Sequence, residues 1–543
     1  MRAGSEDRVY LFDTTLRDGA QMQGVDFGVP DKETIARELD RIGMDYVEGG
    51  WPGANPTDDA FFRNPPGFQR ARFTAFGMTR RPGRSAANDP GLAALLDTTA
   101  PAICMVGKAW DFHVDVALGC SLDENLAMIR DSVAHVVARK REALFDAEHF
   151  FDGYKANPAY ALACAKAALE AGARWIVLCD TNGGTLPEEV ERIVFEAAKT
   201  IPGAKLGIHA HNDTENAVAN SLAAVRAGAR MVQGTLNGIG ERCGNANLVS
   251  LIPTLILKMG CETGISADGL RQLTHISRVL DERLNRAPNR HAPYVGESAF
   301  AHKGGLHVSA VEKDPRTYEH IPPERVGNRR HIVVSDQSGR ANILARFREI
   351  GLEVDSADPK VSALVELVKA REYEGYAYDG AEASFELLAR RALGRVPDYF
   401  RLIRFRVMDD RRVNARGELI TESEATITVQ VGADQLMTVA TGNGPVNALD
   451  TALRKALLPS YPVLAEMRLV DYKVRILTPQ AGTKAVTRVM IESADGEGER
   501  WWTVGVSTNI IDASFNALRD AIDYRLLKTR GTAPIVALPK KRA

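Results

Sequence analysis

EALFDAEHFFDGYKANPAYALACAKAALEAGARWIVLCDTNGGTLPEEVERIVFEAAKTIPGAKLGIHAHND, residues 142–213, decides how the chain is built. Three short runs within it, EALFD (142–146), WIVLCD (175–180) and KLGIHAH (205–211), are apolar or β-branched. Between them lie NPAYALACAKAALEAGA (157–173) and PEEVERIVFEAAKTI (187–201), whose apolar residues recur at helical spacing. Strand and helix alternate. Continuous apolar strands separated by amphipathic helices belong to a parallel sheet covered by helices.

The same alternation extends outward. VYLFD (9–13), YVEGG (46–50), RFTAF (72–76) and AICMV (102–106) precede the stretch, and RMVQGT (230–235) follows it. Further helix-period segments are DKETIARELDRIG (31–43), SLDENLAMIRDSVAHVVARKR (121–141) and TENAVANSLAAVRAGA (214–229). Eight strand-helix units in about 250 residues predict an α/β fold of the closed (β/α)8 TIM-barrel type over residues 1–275, a doubly wound open sheet being the alternative. The barrel reading supplies a filter, because catalytic groups gather at the C-terminal ends of barrel strands.

Beyond residue 275 the alternation stops. Residues 276–397 read as a helical, loop-rich linker region, and residues 398–530 as a small α+β domain with an internal two-fold repeat. MTVATGNGPVNALDTALRKAL (437–457) aligns with WTVGVSTNIIDASFNALRDAI (502–522) at an offset of 65, each copy a strand, a polar turn and an amphipathic helix. Residues 531–543, ending PKKRA, read as a solvated tail.

The 543 residues, 45% hydrophobic and 25% charged, fit a globular protein of several domains. Sixty-eight basic against 70 acidic residues give a net charge of −2 with no large basic block, which argues against nucleic acid or anionic lipid as a partner and for a small molecule. Six Cys without a CxxC pair, several in apolar runs, predict buried thiols in a reducing cytoplasm. No apolar stretch reaches the roughly 18 residues of a membrane span, and MRAGSEDRVY lacks a secretory core.

Polar residues collect where these strands end. DTTLRDGAQ places Asp13, Arg17 and Asp18 at the end of the first strand. In HAHND, His209 and His211 are two apart and point to one side of an extended chain. Two imidazoles and one carboxylate form a facial set for a divalent metal, and Asp18 can supply the carboxylate. NGIGERCGNANL (237–248) adds Asn245 as a neutral oxygen donor, and no phosphate-cradling glycine pattern accompanies it. FDAEHFFDGY offers Glu148 and His149 as acid-base groups, and DTNGG offers the Thr181 hydroxyl to a bound carboxylate. Strand interiors are expected to be apolar.

The set DTTLRDGAQ, HAHND, GERCGNANL and AFAHKGGLH resembles the isopropylmalate/homocitrate synthase family of metal-dependent acyl-CoA aldol enzymes, over nearly the whole chain. YVEGGWPGANPTDDAFF (46–62) and FDAEHFFDGYKANPAYAL (145–162) are most similar to the branch that joins acetyl-CoA to pyruvate. The resemblance implies metal ligands at Asp18, His209, His211 and Asn245, for Mn, Mg or Zn. It implies that Arg17 steadies enolate and keto acid and that Glu148 sits near the acetyl methyl, while Thr181, from its own hydroxyl at the strand end, is the expected substrate-binding residue beside Arg17. It places further catalytic residues at His307 and Tyr318, supplied by the linker region of a partner subunit, with His302 and Lys303 as weaker candidates. It also implies a homodimer whose C-terminal domain binds a branched-chain amino acid, isoleucine, as feedback effector in isoleucine biosynthesis. A family member using a larger 2-keto acid is the alternative; a lyase or biotin-dependent carboxyltransferase leaves the C-terminal repeat and AFAHKGGLH unexplained, and a non-enzymatic amino-acid-binding protein leaves the paired histidines unexplained.

Overall fold

The computed structural model describes residues 8–529, apart from 287, 303, 333–339, 353, 355–358 and 414. Eight parallel strands close into a barrel in chain order: β1 (Tyr10–Asp13), β2 (Tyr46–Gly50), β3 (Arg72–Met78), β4 (Ala102–Lys108), β5 (Glu142–Glu148), β6 (Trp175–Asp180), β7 (Leu206–Ala210) and β8 (Met231–Gly234). β1 seals the ring against β8, with pairs running from Tyr10↔Met231 to Asp13↔Gly234. Each of the eight apolar runs holds one of these strands, and closure excludes the doubly wound sheet.

The continuous apolar character of β6 follows from burial on both faces. Trp175, Val177 and Cys179 pack inside the barrel with Phe12, Tyr46, Cys104, Leu144 and Met231. Ile176 and Leu178, on the alternate face, belong to the core between strands and helices. The Trp175 indole N–H donates to the Tyr46 hydroxyl at 3.0 Å, so the buried aromatic pair has no orphan donor. One expectation is corrected here: the interior is apolar only in its lower layers. Glu48, Asp146, His209 and Gln233 are all buried near the C-terminal ends of β2, β5, β7 and β8.

The helices begin and end where local chemistry dictates. Val29–Ile42 starts with a proline in its first turn and with Asp31 accepting from the Gly28 N–H at 3.0 Å. It buries Ile35, Ala36, Leu39 and Ile42, and stops at Gly43. Gly43 has φ 103°, and a Cβ there would lie 2.5 Å from the Gly264 carbonyl oxygen, so only glycine serves. Ser121 and Asn157 cap the helices Leu122–Ala138 and Pro158–Glu170 by accepting from Glu124 and Tyr160 N–H groups.

Contacts divide the chain into two compact units. The first runs to Phe300 and includes Ile321–Arg330; the second holds Ala301–His320 and the chain from His331 onward. The second unit contains helices Gly305–Lys313, Arg340–Glu349, Pro359–Tyr373 and Glu382–Ala392, then two antiparallel three-stranded sheets. Arg401–Val413, Leu419–Val431 and Asp434–Gly442 form one sheet, followed by helix Pro445–Leu457; Arg468–Ile476, Thr487–Ala494 and Arg500–Ser507 form the other, followed by helix Ile510–Lys528. The repeat is therefore three strands and a helix, longer than the strand-turn-helix legible in the sequence. It persists at atomic level: Thr438 Oγ1 donates to the Ala452 carbonyl at 2.7 Å, and Thr503 Oγ1 to the Ala517 carbonyl at 2.9 Å. Helix Glu382–Ala392 fastens to the last helix through Ser384 to Asp520 (2.8 Å) and Arg391 to Asp520 (2.8 Å) and Asp523 (2.5 Å).

Residues 531–543 lie outside the described residues. Among the described residues no helix is long and apolar enough to cross a membrane. The six cysteines are thiols rather than disulfides, with Cys104, Cys164 and Cys179 buried.

Candidate active site

The turn after β1 carries the first half of the site. Asp13 does not join the ligand cluster: its carboxylate accepts from the Thr15 N–H (2.9 Å) and hydroxyl (2.8 Å), and the same hydroxyl accepts from Leu236 N–H at 2.9 Å. Burial pushes the Asp13 carboxyl up to about 7, and it pins the turn that launches Arg17 and Asp18. Arg17 donates through Nε to Glu48 at 2.7 Å and through Nη1 to Asp18 at 3.0 Å, and its guanidinium lies 3.8 Å from the Phe76 ring centroid. Burial works against the Arg17 charge, but Glu48 and Asp18 more than offset it.

Asp18 meets the two histidines of β7 and its end. One ligand atom from each of Asp18, His209 and His211 lies within 4.8 Å of the others, and all three residues are buried. The His209 and His211 Nε2 atoms are 3.2 Å apart, and Asp18 Oδ2 is 3.5 Å and 4.0 Å from them respectively. Burial pushes His209 down to about 3 and lowers His211 as well, so both rings are neutral and able to act as ligands. Burial opposes the Asp18 charge, yet Arg17, His209 and His211 together keep its carboxyl well below the usual range. Asn245 donates its amide N–H to Asp18 Oδ1 at 2.8 Å, while its own Oδ1 is buried without a partner among the described residues.

This donor set fits a divalent cation. Two neutral imidazoles and an ionised carboxylate converge in a buried space, an arrangement of lone pairs that repel without a positive charge between them, and the orphaned amide oxygen belongs to the residue bonded to that carboxylate. The Gly-rich turn makes room: a Cβ at Gly240, where φ is 155°, would lie 2.0 Å from Asn245 Nδ2.

Of the remaining sequence candidates, some stand at the ends of barrel strands and others in the second unit. Glu148 ends β5 and is salt-bridged to Lys108 at the end of β4. His149 adopts φ 55°, donates its N–H to Thr181 Oγ1 at 2.9 Å, and sets its ring 4.1 Å from that of His113, tilted by 48°. The Thr181 hydroxyl thus accepts one hydrogen bond and keeps its proton for another acceptor. In the second unit His307 stacks on Tyr318 with ring centroids 4.1 Å apart, and His302 is buried against Glu319 at 3.1 Å. Lys303 lies outside the described residues.

Two functional neighbours escaped sequence reading. Glu48 is fully buried, accepts from Thr14 Oγ1 (2.6 Å) and Arg17, and keeps Oε1 without a partner among the described residues. Gln233 is bonded to His209. Each interrupts an apolar strand run, YVEGG and RMVQGT, and a lone polar residue inside such a run was the available signal.

Comparison with known proteins bears on this geometry. Residues 8–278 match the family description HMGL-like, residues 294–374 match Homocitrate synthase post-HMGL domain-like, and residues 379–526 match LeuA allosteric (dimerisation) domain. The chain is 52% identical over 524 residues to the (R)-citramalate synthase of Aquifex aeolicus (strain VF5), covering 96% of this chain and 98% of the other. It is 54% identical over 523 residues to the (R)-citramalate synthase of Geobacter sulfurreducens, covering 96% and 98%. Identity to a probable 2-isopropylmalate synthase of Methanopyrus kandleri is 32% over 524 residues, covering 96% and 99%. With the barrel, the Asp-His-His cluster and a C-terminal module of the matching kind all in one chain, and with half its residues shared end to end with such enzymes, the chain belongs to the family of the (R)-citramalate synthases.

Proposed function

We propose that this enzyme condenses acetyl-CoA with pyruvate and water to give (R)-citramalate and CoA. The observation that carries the reading is the buried triplet Asp18, His209 and His211 beside the Arg17–Glu48 pair, in a chain half identical to (R)-citramalate synthases. Asp18, His209 and His211, with Asn245, would hold a divalent cation, Mn, Mg or Zn, which when bound would supply Lewis-acid polarisation of the keto carbonyl.

Arg17 places positive charge where the enolate and the keto-acid oxygens develop negative charge, and its partners Glu48 and Asp18 hold it in place. The Thr181 hydroxyl donates to the pyruvate carboxylate. Acetyl methyl protons are very weakly acidic, so a positioned base must remove one. His307, held by its stacking on Tyr318, takes that proton, and Glu148, paired with Lys108, orients the acetyl group. The enolate carbon then attacks the keto carbon, the new alkoxide takes up a proton, and water cleaves the thioester to release CoA and the product carboxylate. Thioester hydrolysis makes the sequence irreversible, which suits a step under feedback control.

The C-terminal repeat serves that control. The two sheets expose Ile403, Met437 and Val439 in one case and Val474 and Ile476 in the other, apolar surface suited to a second copy of the chain. A homodimer with isoleucine as effector, bound near the polar turns 441–447 and 507–512, is the arrangement proposed. Unpaired by disulfides and with three thiols buried, the cysteines support a reducing cytoplasm as the compartment, in isoleucine biosynthesis.

The test is formation of citramalate and free CoA from acetyl-CoA with pyruvate and with 2-oxoisovalerate in turn, with and without chelator. Chelator-sensitive turnover preferring pyruvate is expected. A preference for 2-oxoisovalerate would replace the assignment by an isopropylmalate synthase.

A further inference from the structure

We infer that Gln233, oriented by Asp146, is the positioning residue that fixes which nitrogen of His209 is free to bind a metal. His209 and Gln233 are direct register partners on β7 and β8. His209 Nδ1 is 2.9 Å from Gln233 Oε1, and Gln233 Nε2 donates to Asp146 Oδ1 at 3.0 Å across the barrel. Gln233, Asp146 and His209 are 0%, 3% and 4% exposed, so water cannot take the place of any partner.

The logic is one of donors and acceptors. A primary amide can offer either its oxygen or its nitrogen to a neighbour, and on its own leaves a histidine undecided. Asp146 as a carboxylate only accepts, so it claims the Gln233 NH2 and turns the Gln233 oxygen toward His209. That oxygen only accepts, so His209 Nδ1 must carry the proton. Nε2 is then left with its lone pair, facing Asp18 and His211. A hydrogen-bonded second partner of this kind fixes ring orientation and raises the basicity of a ligating histidine. His211 has no such help, since its Nδ1 is buried without a partner among the described residues. Replacing Asp146 by Asn would add a competing donor, allow the Gln233 amide to turn over, and put a proton on the nitrogen that must bind.

This inference rests on the reading of Asp18, His209 and His211 as metal ligands. The experiment uses the full-length protein stripped of metal and titrated with Co2+ alone at pH 8, above the value of about 7 to which burial raises Asp146. Affinity is read by chelator competition, and the ligand field by visible absorption. Wild-type protein that binds no Co2+ would refute the metal site itself. Given wild-type binding, Gln233→Met and Asp146→Asn are each expected to weaken Co2+ affinity by about 10- to 100-fold and to alter the visible spectrum, with circular dichroism unchanged. Wild-type affinity and spectrum in either folded variant would overturn the assignment, and the two variants provide independent tests should one fail to fold.

Discussion

Arg17 and Glu48, thirty-one residues apart in the chain, meet at 2.7 Å at the top of the barrel, Arg17 Nε donating to Glu48 Oε2. The same carboxylate oxygen accepts from Thr14 Oγ1, so the turn after β1 and the end of β2 are locked to one another. Glu48→Gln keeps the size and weakens the lock: the Arg17 charge is then balanced by Asp18 and Asp146 without Glu48. Turnover is expected to fall by about 100-fold, the scale of removing one preorganised electrostatic contact. Steady-state kinetics on a variant with native circular dichroism checks this; unaltered kcat would show that Glu48 merely fills the barrel.

Chelation is expected to abolish activity, and Mn, Mg or Zn to restore it in part. His209→Ala should lose metal affinity while remaining folded, because barrel mouths carry function and barrel interiors carry stability. Metal content by elemental analysis, beside a thermal melt, separates the two effects. Full turnover in metal-free buffer would contradict the site.

Glu148→Gln and His307→Ala are each expected to lower turnover by roughly 100-fold or more, the range of acid-base assistance, with pyruvate binding retained. If His307 acts in the partner's site, mixing inactive His307→Ala with inactive Asp18→Asn protein regenerates hybrid active sites. Recovery of activity after verified subunit exchange is the expected result.

Isoleucine at millimolar concentration is expected to inhibit the intact enzyme more strongly than leucine or valine. A coupling of about 1 to 3 kcal/mol between sites would change affinity by 5- to 150-fold. Initial-rate titration with each amino acid is the check, and insensitivity to all three would leave the C-terminal repeat a dimerisation module.

Asp13 provides a pH signature. Burial raises its folded-state pKa from 3.8 to about 7, so between those values the folded protein binds the extra proton. Its contribution to stability is complete below pH 3.8 and is lost as pH rises through 7. Wild type should therefore lose stability relative to Asp13→Asn as pH rises from about 4 to about 7, by a few kcal/mol, since each pH step across that window is worth roughly 1.4 kcal/mol. Parallel denaturant melts across this range would expose a wrong sign.

The order of strands and helices was legible in the sequence because burial on both faces makes every barrel strand an apolar run, and each helix repeats its apolar residues along one side. WIVLCD (175–180) became β6 with its boundaries unchanged. His209 and His211 could be paired from their spacing alone, since residues two apart on an extended chain point the same way. Spacing along one strand says nothing of what stands opposite. That Asp18 lies 3.5 Å from His209, that Glu48 holds Arg17, and that Gln233 turns His209 are relations between strands far apart in sequence, created when the barrel closes. Glu48, Asp146 and Gln233 each look like a single irregularity in an apolar run. Only the closed ring brings their inward faces together, where exclusion of water leaves their polar atoms dependent on partners within the protein, as Gln233 is on Asp146 and His209.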